Sequence, residues 1–303
     1  MTNLESLCVN IIKNNKLQAS FLRKSIDFLE IREIESLEKY LSFLIHNDNS
    51  IEYLASCYNL IVKDTLREQI FFRKNNKYRY TTFNEVSDSV YFNPQYMEMY
   101  MYGLALTSFL WPNHIMINRW FLQKLPKGKT GQYLEIGPGH GYNFMNAMKS
   151  TSFNQFNGID ISPKSVQLTR SILEDQLIGQ SQKYKIIQGD FLNLEEKYKY
   201  DAIVMGEVLE HVEKPEYFLT KINRLANKEA FIYISTAINS PAVDHIYLFE
   251  SVDSVREMVQ ACGFFIIDQL TLPYPGLSLE QCQDQKLTIN IALVLQKHGE
   301  NYE

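Results

Sequence analysis

The sequence predicts an α/β fold in which a doubly wound, mainly parallel sheet follows a mainly α-helical N-terminal region. From residue 131 onward, short apolar runs of strand type alternate with amphipathic helical segments, which is typical of a parallel sheet covered by helices on both faces. Residues 1–75 instead carry apolar side chains at three- and four-residue intervals, and this spacing indicates amphipathic helices. A helical region in front of an α/β domain is therefore expected.

The expected elements alternate along the second region. Strands are expected at 132–136, 156–160, 185–188, 201–205, 230–235, 264–270 and 287–296. Helices are expected at 142–148, 163–177, 215–225 and 252–262. In sheets of this kind the binding site lies at the carboxyl ends of the strands, where the strand order reverses. We therefore expect functional residues directly after the strands.

The chain divides into three expected parts. In residues 1–85, a short helix begins at 51–55, a second helix covers 64–72, and 77–81 alternates like an edge strand after a turn-prone Asn-Asn pair. Residues 86–128 are rich in aromatic side chains with two prolines as helix-start signals, and we expect them to form a helical linker and lid over the site. The α/β domain is expected to fill 129–303.

Composition narrows the functional classes. The 303-residue chain has a formal net charge of −5, which argues against a large basic footprint for nucleic acid. Its four cysteines are scattered without a C-x-x-C pair, so neither a disulfide framework nor a zinc knuckle is indicated. No apolar run is long enough for a membrane span, and the N-terminus lacks the layout of a signal peptide. A cytoplasmic location without membrane contact is the expectation.

A glycine-rich turn follows the first expected strand. Gly137, Gly139 and Gly141 form a G-x-G-x-G pattern, and such side-chain-free positions let the backbone approach a ligand closely at a helix N-terminus. A dinucleotide site uses the longer G-x-G-x-x-G spacing. Glu135 precedes the turn, where a carboxylate disfavours a pyrophosphate but suits a sulfonium or ammonium group. Asp160 ends the second expected strand.

These residues resemble the motifs of class I S-adenosylmethionine-dependent methyltransferases, and the likeness covers residues 110–297. The resemblance implies a Rossmann-like sheet and S-adenosyl-L-methionine as the cofactor. The glycine loop would hold its methionine part, Asp160 its ribose and the Asp190-Phe191 pair its adenine. The cofactor-binding residues that the resemblance implies are Glu135, Gly137, Gly139, His140, Gly141, Asp160, Ile161, Asp190, Phe191 and Gly206.

A second constellation follows the fourth expected strand. If the chain becomes helical after Gly206, then Glu207, Glu210 and His211 share one face at i, i+3 and i+4. Two carboxylates and an imidazole suit a divalent cation. In many methyltransferases an E-x-x-E-H stretch binds no metal, so the alternative is a glutamate that contacts the cofactor or caps the helix beside a packed histidine.

The trio resembles the metal-ligand motif of small-RNA 2′-O-methyltransferases and of ubiquinone-pathway O-methyltransferases. By that resemblance His245 would be the fourth ligand of a divalent metal (Mg, Fe, Zn or Mn), together with Glu207, Glu210 and His211. The alternatives for His245 are a general base, a hydrogen-bond partner of the substrate, or a core histidine. His211, His245 and Glu207 are the catalytic candidates, because imidazole exchanges protons near neutral pH.

The predicted function is methyl transfer from S-adenosylmethionine to oxygen or carbon of a small polar metabolite. The order helix, helix and strand in residues 1–85 resembles the winged-helix dimerisation domain of small-molecule O-methyltransferases, which implies a homodimer. An RNA 2′-O-methyltransferase and a non-catalytic cofactor-binding protein remain the alternatives. Nucleic acid is an unexpected partner for this acidic chain.

Overall fold

The computed structural model describes residues 1–298. The helices are α1 Asn3–Asn14, α2 Gln18–Phe28, α3 Ile31–His46, α4 Ile51–Asn75, α5 Phe83–Val86, α6 Pro94–Leu110, α7 Pro112–Lys124, α8 Tyr142–Ser150, α9 Pro163–Gln176, α10 Pro215–Leu225, α11 Val252–Ala261 and α12 Leu279–Asp284. The strands are β1 Gln132–Ile136, β2 Gln155–Asp160, β3 Tyr184–Gln188, β4 Tyr200–Gly206, β5 Ala226–Ile238, β6 Phe264–Leu272 and β7 Ile289–Lys297.

The strands form one seven-stranded sheet in the order β3-β2-β1-β4-β5-β7-β6. Strands β1 to β5 pair in parallel, whereas β7 runs antiparallel to both β5 and β6. The chain order reverses between β1 and β4, so a crevice opens at their carboxyl ends. The predicted doubly wound, mainly parallel sheet with an N-terminal helical region is confirmed.

The N-terminal region differs from its prediction in two details. Helix α4 is one helix of 25 residues rather than two, beginning at the Ser50 side-chain cap and ending at Asn76 in the left-handed conformation. The edge strand expected at 77–81 is wrong, because this segment is irregular. Tyr78 is buried, and its hydroxyl accepts a hydrogen bond from the backbone N–H of Ser240 at 3.0 Å. Without this strand, the described residues of the region lack the wing of a winged helix.

Two apolar cores cover the faces of the sheet. One core joins α1, α3, α4, α6 and α7 to the sheet face that α8 and α9 also cover, with Tyr58, Phe121 and Phe144 fully buried. The second core packs α10 and α11 against the other face. The N-terminal helices therefore bury their apolar stripes within this chain. Homodimerisation, which the resemblance to a dimerisation domain implies, stays a prediction.

The predicted boundaries at residues 85 and 128 both cross the first core, because it contains residues from each of the three expected parts. These boundaries stay predictions, and the last residues of the third part, 299–303, lie outside the described residues. No helix within the described chain is both long and apolar enough to span a bilayer.

Candidate functional site

A large cavity lies at the carboxyl ends of the central strands. Its volume is about 1320 Å³, larger than the roughly 300–1,000 Å³ typical of a site for one drug-sized ligand. Its walls come from the loops after β1, β2, β4 and β5 and from the N-terminal helices α2, α4, α6 and α7. There is room for two ligands side by side.

The glycine loop forms one end of this cavity. Gly137, Gly139 and Gly141 all have positive φ angles, of 67°, 57° and 79°. Residues other than glycine rarely adopt such angles. A Cβ atom at Gly141 would lie 2.8 Å from the Cα atom of Thr169 in α9. The backbone of the predicted turn therefore lies so close to α9 that position 141 has no room for a side chain.

Asp160 is hydrogen-bonded to the same loop. Its carboxylate accepts hydrogen bonds from the backbone N–H groups of Gly139, at 3.1 Å, and Ser162, at 2.9 Å. Burial raises the pKa of Asp160 to about 6, so the group is ionised at neutral pH. A carboxylate offers about four lone-pair positions, and two of them stay available toward the cavity that Asp160 lines.

Glu135 lies beneath the loop in an apolar setting. The carboxyl group is buried and accepts a hydrogen bond of 2.5 Å from the Tyr133 hydroxyl. Burial raises the pKa of Glu135 to about 8, although the Tyr133 hydroxyl opposes this shift. A neutral carboxyl group that borders a cavity can become a counter-ion when a cation arrives.

The remaining predicted cofactor residues also line the cavity. Asp190 accepts a hydrogen bond from the backbone N–H of Leu192 at 2.8 Å and so begins a short helical turn that buries Phe191. Burial lowers the pKa of His140 to about 4, with a further contribution from His114. The structure thus brings all ten predicted cofactor residues except Gly141 to the cavity wall: Glu135, Gly137, Gly139, His140, Asp160, Ile161, Asp190, Phe191 and Gly206.

The segment after β4 does not form the expected α-helix. Glu207 has a φ of 52° in the left-handed region, and its N–H donates to the Ser235 carbonyl at 2.9 Å. The chain then makes a single 3-10 turn at Leu209–His211. The predicted helical face shared by Glu207, Glu210 and His211 is therefore wrong, because Glu207 extends the strand pairing.

Glu210, His211 and His245 nevertheless converge. One ligand atom from each of these side chains lies within 4.8 Å of the others, and the centroids of the two imidazole rings are 4.6 Å apart. Glu207 does not belong to this group. Its Oε1 atom and the Oε1 atom of Glu210 are buried without a hydrogen-bond partner among the described residues.

Both histidines are oriented by their Nδ1 atoms. His245 Nδ1 donates to the Ser240 carbonyl at 2.5 Å, and His211 Nδ1 lies 3.1 Å from the Asp244 carbonyl oxygen and 3.3 Å from its carboxylate. The Nε2 atoms are therefore free to face a ligand. Burial lowers the pKa of His211, but Asp244 and Glu210 outweigh burial and raise it to about 9. Burial, and secondarily the charge of His211, lowers the pKa of His245.

Three functional residues were missed by the sequence analysis. Asp244 is buried and accepts hydrogen bonds from the hydroxyls of Tyr91, at 3.1 Å, and Tyr100, at 2.8 Å. Burial raises the pKa of Asp244, but His211 outweighs burial and lowers it below its ordinary range. The helical spacing of tyrosines in the expected lid was the available signal. Their partner lies far away in sequence, so their role was not visible.

Comparisons with known proteins agree with this geometry. A family model described as a methyltransferase domain matches residues 116–272, more than half of the chain. Norajmaline N-methyltransferase of Rauvolfia serpentina is 33% identical over 112 residues, which cover 36% of this chain and 37% of the relative. The ubiquinone biosynthesis O-methyltransferase of Dictyostelium discoideum is 26% identical over 117 residues, which cover 39% of this chain and 32% of the relative. The chain thus spans about a third of these curated relatives.

Solved structures show the same fold. Mitomycin 7-O-methyltransferase MmcR superposes with a TM-score of 0.55 at 11% identity, over 82% of this chain and 70% of that one. Phosphoethanolamine N-methyltransferase 2 of Haemonchus contortus gives a TM-score of 0.55 at 13% identity, over 73% of this chain and 61% of that one. With the matching family model, the glycine loop and the strand order, the chain belongs to the methyltransferase-domain family and has the class I methyltransferase fold.

Proposed function

We propose that the chain is an S-adenosylmethionine-dependent methyltransferase that acts on a hydroxyl group or an acidic C–H of a metabolite. The observation that carries this proposal is the continuity of the cavity, which joins the glycine loop and Asp160 to the pair His211 and His245. One end then suits the cofactor and the other an acceptor with a proton to lose. Two of the curated relatives are named as a ubiquinone biosynthesis O-methyltransferase and a norajmaline N-methyltransferase, which supports a metabolite as the acceptor.

The residues at the loop fit S-adenosylmethionine. Gly139 borders the cavity without a side chain, so a ligand can approach the backbone of the loop closely there. The buried Glu135 carboxyl suits the cationic methionine part, and the spare lone pairs of Asp160 suit a ribose diol. The Haemonchus contortus enzyme was solved with S-adenosylhomocysteine. The cofactor, when bound, supplies a methyl group on a positively charged sulfur.

The histidine pair supplies the acid–base chemistry. His245 has a lowered pKa and directs Nε2 into the cavity, so at neutral pH it can accept a proton from the acceptor. His211 keeps its own proton, because Asp244 holds it in place. The cavity walls would align the acceptor with the methyl group, as an in-line displacement requires.

Replacing Asp160 by alanine should weaken binding of S-adenosylhomocysteine by about 1.5–3 kcal/mol, because hydrogen bonds to a charged group are lost. Calorimetry gives the two dissociation constants directly. Asp201→Ala is the matched control. Asp201 lies at the amino end of β4, whereas Asp160 lies at the carboxyl end of β2, and Asp201 accepts hydrogen bonds from Gln132 and Asn227. Equal affinity in wild type and Asp160→Ala, or no binding at all, would count against the proposed cofactor.

Binding of S-adenosylmethionine should strengthen with pH. Glu135 has a pKa of about 8. Below that pH the carboxyl group is protonated, so it must lose its proton before it can pair with a cation. Affinity should rise about tenfold per pH unit between pH 6 and 8 and then level off. Calorimetric titrations at several pH values test this. Glu135→Gln should flatten the profile, and a flat wild-type profile would remove Glu135 as the counter-ion.

We further propose a divalent cation at Glu210, His211 and His245. The unpartnered Oε1 atom of Glu210 and the two free Nε2 atoms form a suitable donor set, and Nδ1 contacts to Asp244 and Ser240 are the kind that orient metal-ligating imidazoles. Such a cation would displace the Nε2 proton of His211 and occupy Nε2 of His245. It would therefore replace His245 as the activating group, by lowering the pKa of a coordinated hydroxyl. Glu207, which was predicted as one of the four ligands, stays outside this proposal because it does not belong to the group that converges.

After dialysis against a chelator, the wild type should bind about one equivalent of Mn²⁺ by calorimetry, and Glu210→Gln should bind it at least about tenfold more weakly. His114→Gln is the control, because His114 lines the same cavity but bonds Thr107. No uptake by the wild type would leave His245 to act as a base without a metal.

The cavity favours a metabolite over RNA as the acceptor. Helices α2, α4, α6 and α7 wall the acceptor end, so a substrate must fit between helices, and the chain carries a net charge of −5. An RNA enzyme would instead neutralise phosphates and bind with steep salt dependence.

A further inference from the structure

The acceptor end of the cavity has a wall of its own, built by α2 and α4. Ile61, Thr65, Gln69 and Arg73 recur every four residues along α4 and all border the cavity, so they form one stripe on that helix. On α2, Gln18, Phe21 and Lys24 recur every three residues, and they border the cavity together with Ser25. The Tyr58 hydroxyl of α4 donates to Gln18 Oε1 at 3.0 Å and ties the two helices together.

This wall lies on the histidine side of the cavity. Phe72 of α4, between Gln69 and Arg73, packs on Tyr78 with ring centroids 5.7 Å apart. Tyr78 in turn packs on His245 at 5.9 Å. The α4 part of the wall is thus connected to the proposed base through two aromatic rings. The predicted cofactor residues come from other elements of the cavity, so a molecule on this wall would be the acceptor rather than the cofactor.

Two buried polar groups on the wall have no partner among the described residues. Ser25 is fully buried, yet its hydroxyl makes no hydrogen bond, and Gln69 Nε2 is buried and unbonded as well. A serine inside a helix usually bonds the carbonyl four residues earlier. Leaving a buried polar group without a partner is unfavourable, so a ligand oxygen that bonds either group would be stabilised there.

The charged side chains on this wall that form no ion pair are both positively charged. Lys24 and Arg73 are exposed and form no ion pair with other described residues. Asp64, a carboxylate on the same wall, is already engaged by Arg67 at 3.2 Å and by the Tyr96 hydroxyl at 2.6 Å. The groups left free are therefore mostly donors, and two of them are cations.

We propose that this wall recognises an anionic oxygen group, a carboxylate or phosphate, on the acceptor substrate, through Ser25, Gln69, Lys24 and Arg73. The body of the acceptor lies on the apolar part of the same wall, which includes Phe21 and Ile70. This inference rests on the proposed methyltransferase function. It replaces the expected small polar metabolite with an amphiphilic acid whose methyl-accepting atom points at His245.

Matched pairs of probes test the recognition of charge. With S-adenosylhomocysteine at saturation, 10-hydroxydecanoate is compared with decane-1,10-diol, and 4-hydroxycinnamate with 4-hydroxycinnamyl alcohol, by calorimetry. At least one acid should bind about tenfold more tightly than its alcohol, because charge-assisted hydrogen bonds are the stronger ones. The preference should shrink as salt is raised.

Charge-removing variants locate the site. Lys24→Gln and Arg73→Gln should each weaken acid binding about 1.4- to fivefold, the range for exposed ion pairs, and leave alcohol binding unchanged. The controls are Arg23→Gln and Lys74→Gln. Each removes one positive charge from the same helix as its test variant, at an exposed residue that does not border the cavity.

Two results overturn the proposal. One is the absence of any preference for acid over alcohol in both pairs, including the case in which no probe binds. The other is equal weakening by the control variants. Cofactor affinity is measured in the same samples, so loss of S-adenosylhomocysteine binding would count against the methyltransferase function. Intact cofactor binding without an acid preference counts against the anionic acceptor alone.

Discussion

Replacing Asp244 by alanine should lower the free energy of unfolding by about 3–5 kcal/mol, the range observed when one partner of a buried ion pair is removed. The Asp244 side chain is buried and accepts hydrogen bonds from Tyr91 and Tyr100 while it holds His211. Alanine would leave His211 without its counter-ion and two hydroxyls without an acceptor. Urea denaturation measures the loss.

The pH dependence of this stabilisation follows from the two shifted pKa values. Asp244 has a lowered pKa, so its contribution is present above about pH 4, its unfolded value, and is lost as pH falls below it. His211 has a pKa raised to about 9, so its contribution is lost as pH rises from about 6.5 through 9. The difference between wild type and Asp244→Ala should be largest between these limits.

Asp175→Ala is the control for this prediction. Asp175 is exposed and bonds only the neighbouring Gln176 side chain, so its loss should change stability by less than about 0.5 kcal/mol. A similar small change for Asp244→Ala would show that the buried pair contributes little to folding.

Replacing Gly141 by alanine should destabilise the protein by about 2–5 kcal/mol. The left-handed backbone at φ 79° costs an L-residue about 1–2 kcal/mol. The new Cβ atom would also lie 2.8 Å from Thr169 Cα and 2.9 Å from Ile172 Cγ2, and overpacking of this kind costs about 1–3 kcal/mol more. Thermal or urea unfolding measures the sum.

Gly179→Ala separates the two causes. Gly179 has nearly the same φ, 80°, but nothing lies within 4 Å of the position that a Cβ atom would take there. This variant should therefore show only the backbone cost of about 1–2 kcal/mol. If Gly141→Ala is no more destabilising than Gly179→Ala, then α9 moves to make room for the added methyl group, and its contact with the loop does not contribute to stability.

The sheet and the glycine loop could be predicted because their signals are local. Apolar strands, helical spacing and a G-x-G-x-G turn each lie within a few neighbouring residues. The helix predicted after Gly206 is absent because the N–H of Glu207 donates to the Ser235 carbonyl of the adjacent strand. The residues of the segment itself give no signal of this pairing. The strand expected at 77–81 failed for a similar reason, since Tyr78 is fixed by a contact with Ser240.

The candidate site could be predicted in part. The convergence of His211 and His245 follows from the neighbouring carboxyl ends of β4 and β5. The role of Asp244 could not be predicted, because its tyrosine partners come from the helical segment in front of the sheet. The unpartnered Ser25 and Gln69 are likewise visible only once α2 and α4 are placed around one cavity.

The hydroxyl contacts of Tyr91 and Tyr100 with Asp244 bear on how such a protein can evolve. These tyrosines belong to the segment before β1, yet they anchor a carboxylate that follows β5. Recombination that exchanged the front helices with those of a relative would remove both anchors at once. New acceptor preferences are therefore expected to arise by gradual point substitution along α2 and α4, with the glycine loop inherited unchanged.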